Sequence, residues 1–202
     1  LFPHKAEDAL HAAVALQRQV TAFNVERSGG NGGSALSIGI GLHHGQLMLG
    51  TIGEERRLEG TVIADAVNIA ARLEGLTKVY GAPVLVSGTT LEALSEQGFF
   101  RARYLGEVAL RGRTESVSLH EVFDSDPELL ADHKERTRGT FETAIRAWLR
   151  DDAAAALAGF REVLNSHPED KAARYYEQLV RVAIDPEPSR GRRKSAVDSL
   201  SV

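Results

Sequence analysis

The chain has 202 residues, a net charge of −4 and no cysteine. The lack of cysteine excludes disulfides and cysteine-based metal or nucleophilic sites, and the small negative charge offers no general attraction to nucleic acid. No apolar run approaches the roughly 20 residues that cross a bilayer, so no membrane segment is expected in this chain.

The first part of the sequence predicts a helix followed by a hairpin. Apolar residues recur at helical spacing over residues 5–24, which indicates an amphipathic helix. Two apolar runs follow at residues 36–42 and 46–52, and the turn-forming tripeptide at 43–45 separates them. Two such runs around a glycine turn predict a β-hairpin.

The middle of the chain continues with alternating helices and strands. The order helix, hairpin, helix, strand, helix, hairpin predicts an α+β fold in which helices cover one face of a mixed, mainly antiparallel sheet. The predicted elements are a short strand at 61–64, a helix that begins at Asp65 and ends at Gly81, a strand at 84–86, a helix that begins at Thr89 or Thr90, and strands at 99–110 and 117–123 around a turn at 111–113.

After Asp124 the strand signals end and helical patterns replace them. One helix is predicted over 127–150, and a helix pair at 152–165 and 169–184 is joined by a turn that contains Pro168. This pair resembles one tetratricopeptide-type unit. A single unit cannot bury its own apolar face, so we expect the pair to pack on the helix at 127–150 or on a partner.

These changes divide the chain into three predicted parts. Residues 1–124 form the α+β domain, and residues 125–185 form a helical, tetratricopeptide-like tail. Residues 186–202 are rich in charged and small polar residues and are predicted to be disordered.

The stretch 60–74 contains the most informative side chains. On a helix that begins near Asp65, Asn68 and Arg72 are four residues apart and project from the same face. The guanidinium fork of arginine matches phosphate oxygens, so this amide and this guanidinium can bind a ribose and a phosphate. The alternative is an exposed Arg72 paired with an acid and an Asn68 that serves as a local cap. For an isolated pair of this kind the alternative is favoured.

Four motifs in a fixed order change that balance. They are GIGLHHG at 39–45, GTIG at 50–53, TVIADAVNIAARLE at 61–74, and LGEV at 105–108 with RGR at 111–113. In this order and spacing they resemble the class III nucleotidyl cyclases over about residues 1–124. The helical tail resembles one that follows the catalytic domain in some bacterial members.

The resemblance implies a ferredoxin-like nucleotidyl cyclase core, here N-terminally truncated, that works as a homodimer with shared active sites. The implied reaction is attack of the ribose 3′-oxygen on the α-phosphate of ATP, which yields cyclic AMP and pyrophosphate. By position, Asn68 would orient the ribose and Arg72 would stabilise charge on the α-phosphate. Thr61 falls at the base-selecting position, where threonine accompanies adenine. Arg113 falls near the residue that meets the terminal phosphates, although a solvated turn charge explains it equally well.

The resemblance also implies two metal ions, Mg²⁺ or Mn²⁺, bound by two aspartates. In the family the second aspartate precedes a segment that ends in Leu-Phe-Pro, and this chain opens with Leu1, Phe2 and Pro3. We therefore expect both aspartates upstream of Leu1, with no cyclase activity in this chain alone and activity in the intact parent. Asp65 is no substitute, because it begins a helix.

The expected partners are ATP, a second copy of the chain and an upstream sensor domain in the parent, with no nucleic acid. The catalytic domain is expected in the cytoplasm, in a parent that is either free or membrane-anchored. Adjacent strand residues point to opposite faces, so a metal shared by His43 and His44 is not favoured. The alternatives are a guanylate cyclase, a non-catalytic cyclase-like regulatory or dimerisation domain and, ranked lowest, an interaction scaffold formed by residues 127–184.

Overall fold

A computed structural model describes residues 5–28, 34–46, 48–52, 59–63, 65–96, 98–109 and 116–185, with backbone alone for 48–52 and 59–63. None of the described helices is both long and apolar enough to cross a membrane. The helices are α1 (Ala6–Ser28), α2 (Asp65–Tyr80), α3 (Gly88–Glu92), α4 (Glu128–Leu149), α5 (Ala153–Ser166) and α6 (Lys171–Ile184), and the strands are β1 (Ile40–Leu42), β2 (Met48–Ile52), β3 (Glu59–Ile63), β4 (Val84–Ser87), β5 (Ala102–Ala109) and β6 (Ser116–Val122).

The described strands form two sheets. The larger has the order β1-β4-β6-β5, in which β1 and β4 are parallel and the other neighbours are antiparallel. The smaller pairs β2 with β3 in antiparallel orientation. The predicted mixed α+β fold is confirmed, and α2 lies in the connection between the parallel strands β1 and β4.

The prediction that the runs 36–42 and 46–52 form a hairpin is wrong. Ile40 of the first run pairs with Val84 of β4, and the second run pairs with β3, so the two runs belong to different sheets. The segment after β1 is instead tied to β4 and α3, because the hydroxyl of Thr90 accepts a hydrogen bond from the backbone N–H of His44 at 2.9 Å. Proximity in sequence favours a hairpin, but these long-range contacts direct β1 to a parallel partner.

The helix predicted to begin at Thr89 or Thr90 begins earlier and is shorter. Ser87 is its N-cap and accepts a hydrogen bond from the backbone N–H of Thr90, and the helix ends at Glu92. Two residues later the side chain of Leu94 is buried in the apolar core. The chain therefore leaves the helical path at a point where it must bring an apolar side chain inward.

Helices cover both faces of the larger sheet, which corrects the expectation of a single covered face. Along β4, Val84 and Val86 pack in one cluster with α1, whereas Leu85 packs in a second cluster with α2 and the three C-terminal helices. Successive strand residues point to opposite faces, so the two clusters lie on opposite sides of the sheet.

The three C-terminal helices match the predicted spans closely, and α5 packs on α4 as expected. An added Cβ on Gly159 of α5 would lie 2.8 Å from the Cβ of Ala144 of α4. Phe141, Phe160 and Tyr176 bring α4, α5 and α6 into the same apolar cluster as β4, β5 and β6. The tetratricopeptide-like character and the boundary at residue 124 stay predictions, and residues 186–202 lie outside the described part of the chain.

A buried ionic cluster joins these helices to the sheet. The side chain of Arg103 on β5 is 0% exposed, and its two terminal nitrogens donate to the carboxylate of Asp170 at 2.7 and 2.9 Å. Its Nε donates to Glu121 of β6 at 2.8 Å, and Lys134 of α4 contacts both Glu121 and Asp126. These five residues, here called the Arg103 cluster, connect β5 and β6 with α4 and the start of α6.

Charges outweigh burial for the pKa values of most members of the Arg103 cluster, but burial raises the pKa of Asp126 above its ordinary value. Burial alone would raise the pKa of Asp170, but the hydrogen bonds and the charge of Arg103 lower it to about 2. For Lys134, burial favours the neutral form, yet the carboxylates of Glu121 and Asp126 raise its pKa above the ordinary value. The shifts of Asp170 and Lys134 both favour their charged forms at neutral pH.

Replacement of Asp170 by alanine should destabilise the protein by about 3–5 kcal/mol, because it leaves the buried Arg103 without its bidentate partner. The matched control is Asp152→Ala. Like Asp170, which caps α6, Asp152 caps a helix by accepting a hydrogen bond from the backbone N–H of Ala155. It is exposed, so its loss should cost about 1 kcal/mol. Urea unfolding followed by circular dichroism measures both, and equal losses would contradict this role of Asp170.

Candidate functional site

Helix α2 places Asn68 and Arg72 on one face. Both lie on the same helix four residues apart, and such residues are neighbours on its surface. Asn68 is exposed and Arg72 is half-buried. Next to Arg72 along the helix, Leu73 is fully buried and Leu76 nearly so, and these buried side chains fix the rotation of α2 about its axis.

Strand β1 packs directly against the turn of α2 that contains Arg72. A Cβ added to Gly41 would lie 2.3 Å from both the carbonyl oxygen of Ala70 and the amide nitrogen of Glu74. Only a glycine permits such a close approach of strand and helix backbones. Gly41 is thus the reason that a polar helix face is held at a fixed distance from the sheet.

The guanidinium of Arg72 contains a buried donor nitrogen. Its Nη2 is buried and has no hydrogen-bond partner in the part of the chain that the structure describes. A buried donor without a partner costs roughly 1–3 kcal/mol, and such groups in native proteins call for an explanation. A ligand oxygen beside this nitrogen would satisfy the donor.

His43 and Ser87 lie where the parallel strands β1 and β4 end. The Nδ1 of His43 is 2.8 Å from the hydroxyl oxygen of Ser87, which is itself fully buried. Burial, and next the neighbouring His44, lower the pKa of His43, which favours its neutral form. Sequence reasoning overlooked Ser87, although a serine directly after the apolar run 84–86 was a visible signal for a polar contact at the strand end.

The histidines do not form part of a metal cluster in the described residues. Across those residues, no group of three or more histidine, cysteine, aspartate or glutamate side chains lies close enough together to hold a metal ion. His43 contacts hydroxyl groups instead. The described residues therefore show no such cluster at the histidines, and the two-aspartate metal site that the family resemblance implies stays a prediction.

The other two predicted site residues are less fully described. Thr61 lies in β3, where its backbone pairs with that of Gly50, four residues before α2 begins. Arg113 lies outside the described residues. The structure thus brings Asn68 and Arg72 together and places the backbone of Thr61 on the strand that leads into their helix.

Residues 2–122 match the family described as the adenylate and guanylate cyclase catalytic domain. The chain belongs to this family. An adenylate cyclase from Anabaena cylindrica is 42% identical over 118 residues, which are 56% of this chain and 24% of that protein. A terminal-differentiation-specific adenylate cyclase from Dictyostelium discoideum is 29% identical over 184 residues, 88% of this chain and 8% of that protein.

Among solved structures, an adenylyl cyclase from P. aeruginosa is similar at 22% identity with a TM-score of 0.48, over 58% of each chain. The chain spans about a quarter of the Anabaena relative and less than a tenth of the Dictyostelium one. The match to the family ends at residue 122, near the end of β6. The alignment with the Dictyostelium protein covers 184 residues and is therefore longer than the family match.

The close approach of β1 to α2 predicts opposite effects for two glycines. Gly41→Ala should destabilise the protein by about 1–3 kcal/mol, because the added methyl group overlaps backbone atoms. Gly75→Ala on α2 should stabilise it by about 0.5–1 kcal/mol, because no described atom outside its own stretch of helix lies within 4 Å of its added Cβ and alanine favours a helix. Thermal unfolding checks both, and a neutral Gly41→Ala would refute the close contact.

Proposed function

We propose that this chain contributes the ribose- and phosphate-binding half of an adenylate cyclase active site, which converts ATP to cyclic AMP and pyrophosphate. The observation that supports this most is the buried Nη2 of Arg72, which has no hydrogen-bond partner among the described residues. It lies on a helix face shared with Asn68, in a chain of the cyclase family.

The proposed chemistry assigns one role to each of these two side chains. The 3′ hydroxyl of the ribose loses its proton, its oxygen bonds to the α-phosphorus, and the bond to the pyrophosphate oxygen breaks. Asn68 holds the ribose so that the 3′-oxygen is aligned for attack. Arg72 donates from Nη2 to an α-phosphate oxygen, where negative charge develops in the transition state.

The proposed preference for ATP over GTP rests on Thr61 and on the similarity to adenylate cyclases. Both curated relatives named above are adenylate cyclases. Guanylate cyclase activity is the second candidate. Parallel assays of cyclic AMP and cyclic GMP formation from the two nucleotides distinguish them, and a Thr61→Cys variant with unchanged base preference would remove Thr61 from the selecting role.

The proposed reaction also requires divalent metal ions and a second copy of the chain. Members of this family generally use divalent metal ions, and Mg²⁺ or Mn²⁺ would supply charge neutralisation at the phosphates. The described residues do not offer a ligand group for them. We propose that the site is shared across a homodimer, with Asn68 and Arg72 from one protomer facing the metal-binding residues of its partner.

Arg72→Ala should lower kcat by on the order of 10²–10³ in the encoded protein that contains this chain, because it removes a preorganised donor to the developing charge. The control is Lys78→Ala, since Lys78 is an exposed cation on the same helix and no role is proposed for it. Cyclic AMP formation is measured for both. Equal rates in the two variants would eliminate Arg72 as a catalytic residue.

The 202-residue chain by itself should form no cyclic AMP from ATP with Mg²⁺ or Mn²⁺, whereas the encoded protein should. The physical reason is the lack of a metal-ligand group among the described residues, which leaves the phosphates without the expected charge neutralisation. Purified chain and encoded protein are assayed side by side. Turnover by the short chain would contradict the prediction, and nucleotide binding without turnover by the encoded protein would favour the non-catalytic alternative.

A further inference from the structure

The C-terminal helix α6 reaches the helix that bears Asn68 and Arg72. Tyr176 of α6 is 5% exposed, and its hydroxyl oxygen lies 3.4 Å from that of Tyr80. Tyr80 is the last residue of α2. The same tyrosine hydroxyl donates a hydrogen bond to the backbone carbonyl of Leu105 on β5, so one side chain connects α6, α2 and the sheet.

Strand β5 is shaped to receive this hydroxyl. The pairing register of β5 with β6 shifts between Tyr104 and Gly106, as at a β-bulge, where a strand bends and redirects its neighbours. Gly106 has φ of +124°, and a Cβ added there would lie 3.0 Å from the hydroxyl oxygen of Tyr176. Both the backbone conformation and the available space therefore require glycine beside Tyr176.

A second contact brings the end of α2 against the start of α6. Gly81, which follows Tyr80, has φ of +62°, and a Cβ added there would lie 2.3 Å from Cδ of Lys171. Lys171 is the first residue of α6. Two neighbouring points at the end of α2 thus touch two points of α6, which restrains the direction of α2 as well as its position.

The start of α6 is itself held in place by the Arg103 cluster. Asp170 accepts a hydrogen bond from the backbone N–H of Ala173 at 3.1 Å and so caps α6. The same carboxylate binds Arg103 of β5 in bidentate fashion. Helix α6 cannot shift along β5 without breaking this pair. The residues of α6 that contact Tyr80 and Gly81 are therefore held in position.

We propose that Tyr176 is a positioning residue of the nucleotide site, which acts on Asn68 and Arg72 through α2. Arg72 lies eight residues before Tyr80, about 12 Å along a continuous helix. Gly41 holds the helix against β1 near Arg72, and Tyr176 holds its far end. With both points restrained, α2 cannot tilt, and Nη2 of Arg72 keeps its position. The effect of Tyr176 on the nucleotide site rests on the proposed function, whereas its restraint of α2 does not.

The test compares Tyr176→Phe with Tyr175→Phe in the full 202-residue chain. Tyr176→Phe keeps the ring, which stacks on Phe160 with centroids 5.2 Å apart, and removes only the hydroxyl. Tyr175 is the matched control, because it is the adjacent tyrosine and its ring also packs on Tyr80. Amide hydrogen exchange in α2 should become up to about tenfold faster in Tyr176→Phe, as for loss of one buried hydrogen bond, and should be unchanged in Tyr175→Phe.

Equal α2 exchange in the two variants, or faster exchange confined to α6, would overturn the proposal. In the encoded protein, Tyr176→Phe should lower kcat about three- to tenfold while KM for ATP stays within about twofold, a split that a general loss of stability does not produce. If the wild-type encoded protein makes no cyclic AMP, the proposed function fails. The hydrogen exchange result then still decides whether Tyr176 restrains α2.

Discussion

The guanidinium of Arg103 lies fully inside the molecule, and a buried positive charge is tolerated only with close, well-aligned carboxylates. Glu121 supplies one from the neighbouring strand, but Asp170 comes from the other end of the chain, 67 residues away. Arg103 therefore has its second carboxylate partner only when the start of α6 packs against β5. The position of α4 follows as well, because Lys134 neutralises the carboxylate of Glu121 on the same sheet.

This requirement links the C-terminal helices to the candidate site. The family match ends at residue 122, yet the apolar core does not end there, since Phe141, Phe160 and Tyr176 share a cluster with the sheet residues. The contact of Tyr176 with Tyr80 extends that cluster to the end of α2. Helix α2 is thus packed against β1 on one side, and at its end against a helix from beyond the family match.

Local patterns predicted most helices and strands, because helical periodicity, proline turns and glycine stops are local in origin. They failed for β1, whose partner Val84 is more than forty residues away, and for the covered faces of the sheet. The run at 84–86 is apolar at every position, so alternation could not reveal that Leu85 faces one layer of helices and its neighbours another. The start of α3 was misplaced because the capping side chain is that of Ser87.

The sequence by itself determined that Asn68 and Arg72 occupy one face of a helix, since helical geometry relates residues four apart, and its motifs indicated the cyclase family. It also determined that three further helices follow the sheet. Only the tertiary structure decided that Nη2 of Arg72 is buried without a partner among the described residues and that Tyr176 reaches the end of α2. Tyr176 and Tyr80 are 96 residues apart, and burial and contact at such separations depend on how the whole chain packs rather than on local patterns.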